Sequence, residues 1–311
     1  MNHSTDVAAF QLELPNENIV MIKGLHGLRL SPDASLLYFV STYDGSISHI
    51  RAMDTRTHAI VHSYSPKVGG EQLASLTPDG SRAYVHSRYS QHIWQINTQT
   101  HKLSQGADLG GSTPFMVGSS NGRTLYACGT LEPHSVKGFL KAIDASTQTV
   151  TQTLVIEPWP YELAANPKQP RLYLANVGDA QANADPTAID VIDTDSWRLV
   201  ARISIPGLAY SMALSPDGAH LYVADITSSQ ILLIDTATHK VIKASSSEKS
   251  PRHVSVSADG KQIFVVSYTS GRIWVLDAGS LEAVRFIDTG KTDLREVLAT
   301  AANGMYVLYQ E

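Results

Sequence analysis

Glutamate and histidine residues that could transfer protons are spread along the 311 residues of the sequence. A carboxyl group and an imidazole are typical general acids and bases, and burial against aromatic residues raises the pKa of a carboxyl group. We predict an acid–base pair that is drawn from His253, Glu162 and Glu296. They are far apart in sequence, so only the fold can bring them together.

Arginine side chains that suit an anion accompany these residues. A guanidinium group can hold a carboxylate or a phosphate through two parallel hydrogen bonds. The candidates are Arg88, Arg252 and Arg295. We therefore expect the ligand to be anionic.

Residues 214–242, LSPDGAHLYVADITSSQILLIDTATHKVI, show the element that must position these side chains. The segment Ser215-Pro216-Asp217-Gly218 is a tight turn, because proline presets φ and glycine accepts positive φ. Apolar strands precede and follow it, and Asp235-Thr236-Ala237-Thr238 forms a second turn before a further strand. Four antiparallel strands in about 45 residues are typical of one propeller blade.

Copies of this unit fill the chain. The first turn recurs seven times at spacings of roughly 42 to 49 residues, within the range of propeller blades. An aromatic residue follows each copy, and we expect it to pack between neighbouring blades. These aromatic residues are Tyr38, Tyr84, Tyr126, Tyr173, Tyr222, Phe264 and Tyr306.

The second turn has only six copies, so the last blade lacks its outer strands. Two strand-like runs precede the first inner strand and could supply them. An open ring would leave unpaired strand edges, which closure removes. We therefore predict an all-β, seven-bladed β-propeller of four-stranded antiparallel blades, forming one domain over residues 1–311. Outer strands from residues 8–24 and inner strands from residues 294–310 share the closing blade.

The repeats LSPDGAHLYVADITSSQILLIDTATHKV and VSADGKQIFVVSYTSGRIWVLDAGSLEAV resemble those of the YVTN family of seven-bladed β-propellers. The resemblance covers essentially the whole chain and implies the fold. It leaves the function open, because this architecture hosts lactonases, lyases, subunits of amine dehydrogenases and interaction modules.

In that family's geometry the first strand of each blade lines a central channel, which opens at the start of the strand. Alignment of the seven copies on Pro32 places one column of residues at the mouth: His26, Gln72, Pro114, Tyr161, Tyr210, Arg252 and Glu296. The next column is Gly27, Leu73, Phe115, Glu162, Ser211, His253 and Val297. The loop after the second strand adds Tyr43, His86, Arg88, Tyr89, Asn176, Asp225 and Tyr268.

A polar and aromatic funnel of this kind is how small-ligand sites are commonly built. The predicted ligand-binding residues are His26, Gln72, His86, Arg88, Tyr89, Phe115, Tyr161, Tyr210, Arg252 and Tyr268. Two longer loops, residues 131–138 and 178–187, extend the same face and could carry specificity. A protein partner could also dock on this face.

The function remains open between two classes. A binding module would hold the small anion without chemistry, whereas an enzyme of lactonase, lyase or isomerase type would use the same histidine and glutamate residues for proton transfer. A protein-interaction scaffold is a third interpretation. His26, His86 and His253 with Glu162 or Glu296 could bind a metal, but no short ligand spacing supports this. We expect neither a metal nor a cofactor.

Composition and net charge restrict the classes of partner that we expect. A net charge of −5 and a pI near 6.2 argue against nucleic acid. The start of the sequence contains neither a membrane span nor a secretory signal, which predicts a cytoplasmic protein, or a periplasmic or secreted one if a signal was removed. The single cysteine, Cys128, excludes an internal disulfide and a cysteine-rich metal site.

Overall fold

The computed structural model describes residues 9–14, 17–23, 26–43, 47–65, 71–87, 90–130, 137–157, 160–176, 187–247, 250–300 and 304–310. Within them lie seven four-stranded sheets, the blades of a β-propeller. The predicted fold class is confirmed. In these residues no helix is of the length and apolarity that crossing a membrane requires.

The strands follow one another blade by blade. Two come before the first complete blade: β1 (Ala9–Leu14) and β2 (Glu17–Lys23). Blade 1 consists of β3 (His26–Leu30), β4 (Leu36–Tyr43), β5 (Ile47–Asp54) and β6 (Ile60–Tyr64). Blade 2 consists of β7 (Glu71–Leu76), β8 (Arg82–Ser87), β9 (His92–Asn97) and β10 (Lys102–Asp108). Blade 3 consists of β11 (Ser112–Gly118), β12 (Thr124–Thr130), β13 (Gly138–Asp144) and β14 (Thr149–Ile156).

The second half of the chain repeats this order. Blade 4 consists of β15 (Pro160–Ala165), β16 (Arg171–Asn176), β17 (Ala188–Asp193) and β18 (Arg198–Ser204). Blade 5 consists of β19 (Ala209–Leu214), β20 (His220–Asp225), β21 (Gln230–Asp235) and β22 (Lys240–Ser246). Blade 6 consists of β23 (Pro251–Val256), β24 (Gln262–Ser267), β25 (Arg272–Asp277) and β26 (Ala283–Asp288). Blade 7 is built on β27 (Leu294–Ala299) and β28 (Gly304–Tyr309).

The core lies between the blades. The second strand of each blade is buried on both faces, and the predicted aromatic column is confirmed as packing: each of its seven members is buried. Tyr222 of blade 5, for example, packs with Val254, Ile263 and Val265 of blade 6. Close packing on both faces fixes the position of each inner strand and of the side chains that it carries toward the channel.

The repeated turns are held by their own side chains. Asp217 accepts hydrogen bonds from the Ser215 hydroxyl at 2.5 Å and the Ala219 N–H at 3.0 Å. Gly218 has φ of 73°, a conformation that favours glycine. In the second turn Asp235 accepts hydrogen bonds from the N–H and the hydroxyl of Thr238. These aspartates therefore stabilise turns, and none is needed for a ligand.

The ring closes as predicted, in the strand order β1-β2-β28-β27. One feature differs from the expectation of wholly antiparallel blades, since β2 runs parallel to β28 with Lys23 opposite Tyr309. The reason is the short connection to β3. Because β3 starts at the channel mouth, β2 must end there, and β28 ends there too.

Candidate functional site

The side chains at the channel mouth are presented by β-bulges. In blades 4 to 7 the pairing of the inner strand with its neighbour skips one residue. A bulge leaves that residue out of the ladder and redirects its side chain. The bulged residues are Tyr161, Tyr210, Arg252 and Arg295.

Tyr161 and Tyr210 extend an aromatic row that begins with Phe115 in blade 3. The rings of Phe115 and Tyr161 lie with their centroids 5.4 Å apart, as do those of Tyr161 and Tyr210. The guanidinium of Arg252 lies 5.6 Å from the centre of the Tyr210 ring, within reach of a cation–π interaction. We call Phe115, Tyr161, Tyr210, Arg252 and Arg295 the mouth arc. It runs from an apolar end to a cationic end.

Two further residues hold the arginines. The Tyr268 ring lies 5.1 Å from the guanidinium of Arg252 and 5.6 Å from that of Arg295. Asp293 accepts a hydrogen bond from Arg295 Nη2 at 2.6 Å and lies 3.9 Å from Arg252 Nη1. Arg295 Nε is buried without a hydrogen-bond partner. The pair is thus fixed in place and still has a donor to offer.

The predicted alignment of the last blade is wrong by one residue. Glu296 pairs with Leu308, just as Glu162 pairs with Ala175 and His253 with Val266. Arg295 therefore stands at the mouth position that the alignment assigned to Glu296. The cause is the connection between β27 and β28. Only six positions separate the paired residues Ala299 and Met305, whereas seven separate the equivalent pair in every other blade, such as Leu214 and Leu221 in blade 5.

The column that contains the three predicted catalytic residues connects neighbouring blades. In blades 4 to 7 the side chain of this column accepts a hydrogen bond from the main chain of the next inner strand, and we call these contacts the blade clasps. The acceptors and donors are Glu162 Oε1 with Met212 N–H (3.2 Å), Ser211 Oγ with Val254 N–H (3.3 Å), His253 Nδ1 with Val297 N–H (3.5 Å), Glu296 Oε1 with Gly27 N–H (2.8 Å) and Glu296 Oε2 with Leu28 N–H (2.9 Å).

Burial shifts the pKa values of Glu162 and His253, two of the titratable groups of this column, in opposite directions. The pKa of Glu162 is raised well above its usual value, chiefly by burial; the Met212 hydrogen bond opposes the shift, and the Glu296 carboxylate adds to it. The pKa of His253 is lowered, again chiefly by burial, which outweighs the attraction of Glu296. Burial therefore favours the uncharged form of both groups.

In these forms both groups are hydrogen-bond donors. A protonated carboxyl group has an O–H to donate. His253 Nδ1 accepts the Val297 N–H, which assigns the imidazole proton to Nε2. The wall of the channel thus presents donors from Glu162 and His253 next to the guanidinium groups.

Arg29 is part of the site although the sequence analysis did not select it. It lies on β3 opposite Tyr38, in a column whose other members are small or apolar: Ser75, Val117, Ala164, Ala213, Ser255 and Leu298. Its Nη1 donates to Leu28 O at 2.7 Å. A charged residue in an otherwise packing column was the signal that could have identified it.

Two neighbouring cavities border these residues. The mouth cavity, of about 110 Å³, is lined by the arc with Arg29, Glu162, Ser211, His253 and Glu296. The channel cavity, of about 430 Å³, continues toward Pro167 and Pro216 on the opposite side. Both are bordered by Arg29, Phe115, Glu162, Ser211 and His253. A ligand at the mouth would therefore contact the donor groups directly.

Other predicted ligand-binding residues lie elsewhere or outside the described residues. His86 is buried between blades 2 and 3, and its Nδ1 lies 2.8 Å from the carbonyl oxygen of Thr113. Arg88, Tyr89, the side chains of His26 and Gln72, and most of both long loops lie outside the described residues. No group of three histidine, cysteine or acidic residues within the described chain is arranged to hold a metal ion.

Comparisons with known proteins agree with this architecture. Residues 174–302, less than half of the chain, match the family model of the cytochrome D1 haem domain. The uncharacterized protein YncE of Escherichia coli (strain K12) is 24% identical over 213 residues, which are 59% of this chain and 56% of that protein. The match thus spans little more than half the length of this curated relative. Together with the seven four-stranded blades, both similarities support a β-propeller family for this chain.

Proposed function

We propose that the mouth cavity binds a small anionic molecule, most simply a carboxylate. The observation that carries the proposal is the excess of positive charge and donors around the cavity. Guanidinium groups of Arg29, Arg252 and Arg295 face the carboxylates of Asp293 and Glu296. Burial opposes charge on Glu162 and His253, so the three guanidinium groups outnumber the carboxylates of Asp293 and Glu296.

The carboxylates of the protein itself do not satisfy every hydrogen-bond donor of the guanidinium groups. Both oxygens of Glu296 accept main-chain hydrogen bonds, and Asp293 accepts one from Arg295. Arg295 Nε, like Asp293 Oδ1, is buried without a hydrogen-bond partner. Because an unsatisfied buried donor is costly, a bound carboxylate would gain by accepting from it.

Thermal melting and calorimetry with acetate, benzoate and phosphate test the proposal. A ligand of the folded protein raises its apparent stability by RT ln(1 + [L]/Kd). We expect a carboxylate to raise the Tm of the wild type. The double variant Arg252→Gln, Arg295→Gln should bind about 10- to 100-fold more weakly, because charged hydrogen bonds are worth roughly 1.5–3 kcal/mol.

The matched control is Arg56→Gln, Arg198→Gln, which removes two exposed arginines on outer parts of blades 1 and 4. It changes the net charge equally and should bind as the wild type does. If no anion binds the wild type, the proposal is wrong. Equal weakening in both double variants would show that net charge, and not the arc, attracts the anion.

An enzyme of lactonase, lyase or isomerase type is the second candidate. It is favoured by Glu162, whose raised pKa would let it protonate a leaving oxygen as a general acid. A base is harder to find, since His253 Nδ1 and both Glu296 oxygens accept main-chain hydrogen bonds. In a lactone-opening assay, Glu162→Gln should lower kcat/KM by about 100-fold or more if this candidate is right. A wild type that opens no lactone, or a variant that opens it equally fast, would reject this role.

The described residues do not fit a haem, although a family model of a haem domain matches part of the chain. The mouth cavity of about 110 Å³ is too small for a macrocycle of four pyrrole rings. His253, the histidine that borders both cavities, already uses Nδ1 within the protein. The proposed function therefore involves no haem.

Membership of the YVTN repeat family stays a proposal that rests on the repeats themselves.

A further inference from the structure

We infer that the anion bound at the mouth is an aryl carboxylate, a carboxylate attached directly to a single aromatic ring. The inference rests on the proposed function and specifies the chemistry of its ligand. The structural basis is the order of residues along the mouth arc, in which aromatic rings lead without interruption to paired guanidinium groups.

The aromatic end of the arc is built to receive a ring. Phe115, Tyr161 and Tyr210 stand next to one another with tilted rings, at interplanar angles of 51° and 46°. All three line the mouth cavity. Aromatic pairs prefer offset or edge-to-face contacts at centroid distances of about 4.5–7 Å, which a further ring in this row would satisfy.

The cationic end begins on the next blade, directly beside Tyr210. Tyr210 borders Tyr161 on one side and Arg252 on the other, and Arg252 shares Tyr268 and Asp293 with Arg295. A ligand that contacts Tyr161 and Tyr210 with its ring must therefore carry its negative charge close to that ring to reach the guanidiniums. A carboxylate bonded to the ring meets this condition.

The size of the cavity sets an upper limit on the ligand. Buried cavities of roughly 150 Å³ accommodate benzene, whereas drug-sized ligands occupy roughly 300–1,000 Å³. The mouth cavity has about 110 Å³ and borders the channel cavity. Because this volume is below that of a benzene-sized cavity, the mouth cavity takes no more than one ring, and the rest of the ligand must extend into the channel cavity or toward the opening.

Calorimetric titration of the full chain with benzoate, cyclohexanecarboxylate and acetate tests the inference. The first two have the same charge and nearly the same size, but only benzoate is aromatic. We expect benzoate to bind about two- to tenfold more tightly than cyclohexanecarboxylate, as aromatic contacts contribute beyond the buried area. Tyr210→Leu should remove this preference, so that benzoate and cyclohexanecarboxylate bind the variant with similar affinities.

Phe286→Leu is the control, because it removes an aromatic ring that is 53% exposed on β26 of blade 6. It should keep the preference for benzoate. If cyclohexanecarboxylate binds the wild type as tightly as benzoate, the aromatic inference is overturned and the anion site stands. If none of the three carboxylates binds, the inference fails, and the proposed function fails with it when phosphate does not bind either. A benzoate preference that survives in Tyr210→Leu would also overturn the inference.

Discussion

Glu296→Ala should lower the free energy of unfolding by about 3 kcal/mol, because a buried donor that loses its acceptor costs roughly 1–3 kcal/mol. The substitution removes the acceptors of the Gly27 and Leu28 N–H groups, which lie 2.8 and 2.9 Å from the carboxylate. These contacts join blade 7 to blade 1, where the ring closes. Urea unfolding followed by circular dichroism measures the change.

The matched control for this prediction is Glu282→Ala. Glu282 is exposed near the start of β26, so its loss should change stability by about 0.5 kcal/mol or less. Glu296→Gln keeps one side-chain oxygen as acceptor and should lie between the two alanine variants. If Glu296→Ala is as stable as Glu282→Ala, water replaces the carboxylate and the clasp does not stabilise closure.

The fold was predictable because each blade repeats the same local sequence pattern. Each turn needs proline, glycine, aspartate or threonine at fixed places, and each buried strand carries an aromatic residue at a fixed distance from the turn. Turn chemistry is local, so a single sequence reveals it. The parallel pairing of β2 with β28 was not predictable in this way, since it depends on where the chain must enter β3.

The candidate site was predictable only in part, for the same physical reason. Phe115, Tyr161, Tyr210 and Arg252 lie in the mouth arc as predicted, because alignment on the turn fixed their height. Arg295 took the place predicted for Glu296, since the connection between the two inner strands is one residue shorter in the last blade, which displaces an alignment made on the turns by one position. A shift of one residue exchanges the two faces of a strand, so this error changed the chemistry assigned to the mouth.

Contacts between blades lie beyond what one sequence can show. Asp293 lies just before β27, and the sequence alone would assign it to a loop. Its carboxylate nevertheless lies between Arg252 and Arg295. The blade clasps likewise join residues 43 to 50 positions apart, and 268 or 269 positions apart where the ring closes. Their side-chain types, glutamate, serine and histidine, differ from blade to blade. Only the common acceptor role unites them, and the positions of the main-chain N–H groups are needed to recognise it.

Glu162→Gln should stabilise the protein increasingly as the pH rises. The pKa of Glu162 is raised in the folded state, so the unfolded chain loses this proton first and the wild type loses stability as the pH rises from the unfolded to the folded pKa. The loss is up to about 1.4 kcal/mol for each pH unit. Glutamine has no such proton and can keep the hydrogen bond from Met212 N–H.

The difference between variant and wild type isolates this effect from that of His253. The pKa of His253 is lowered in the folded state, so its contribution to stability is complete above the unfolded pKa and is lost as the pH falls below it. That dependence is common to both proteins and cancels in the difference. Urea unfolding at pH 5, 6, 7 and 8 measures it, with the exposed Glu282→Gln as control. A difference that stays constant over this range would mean that the pKa of Glu162 is not raised by folding, and the channel wall would then present a carboxylate at this position in place of a neutral donor.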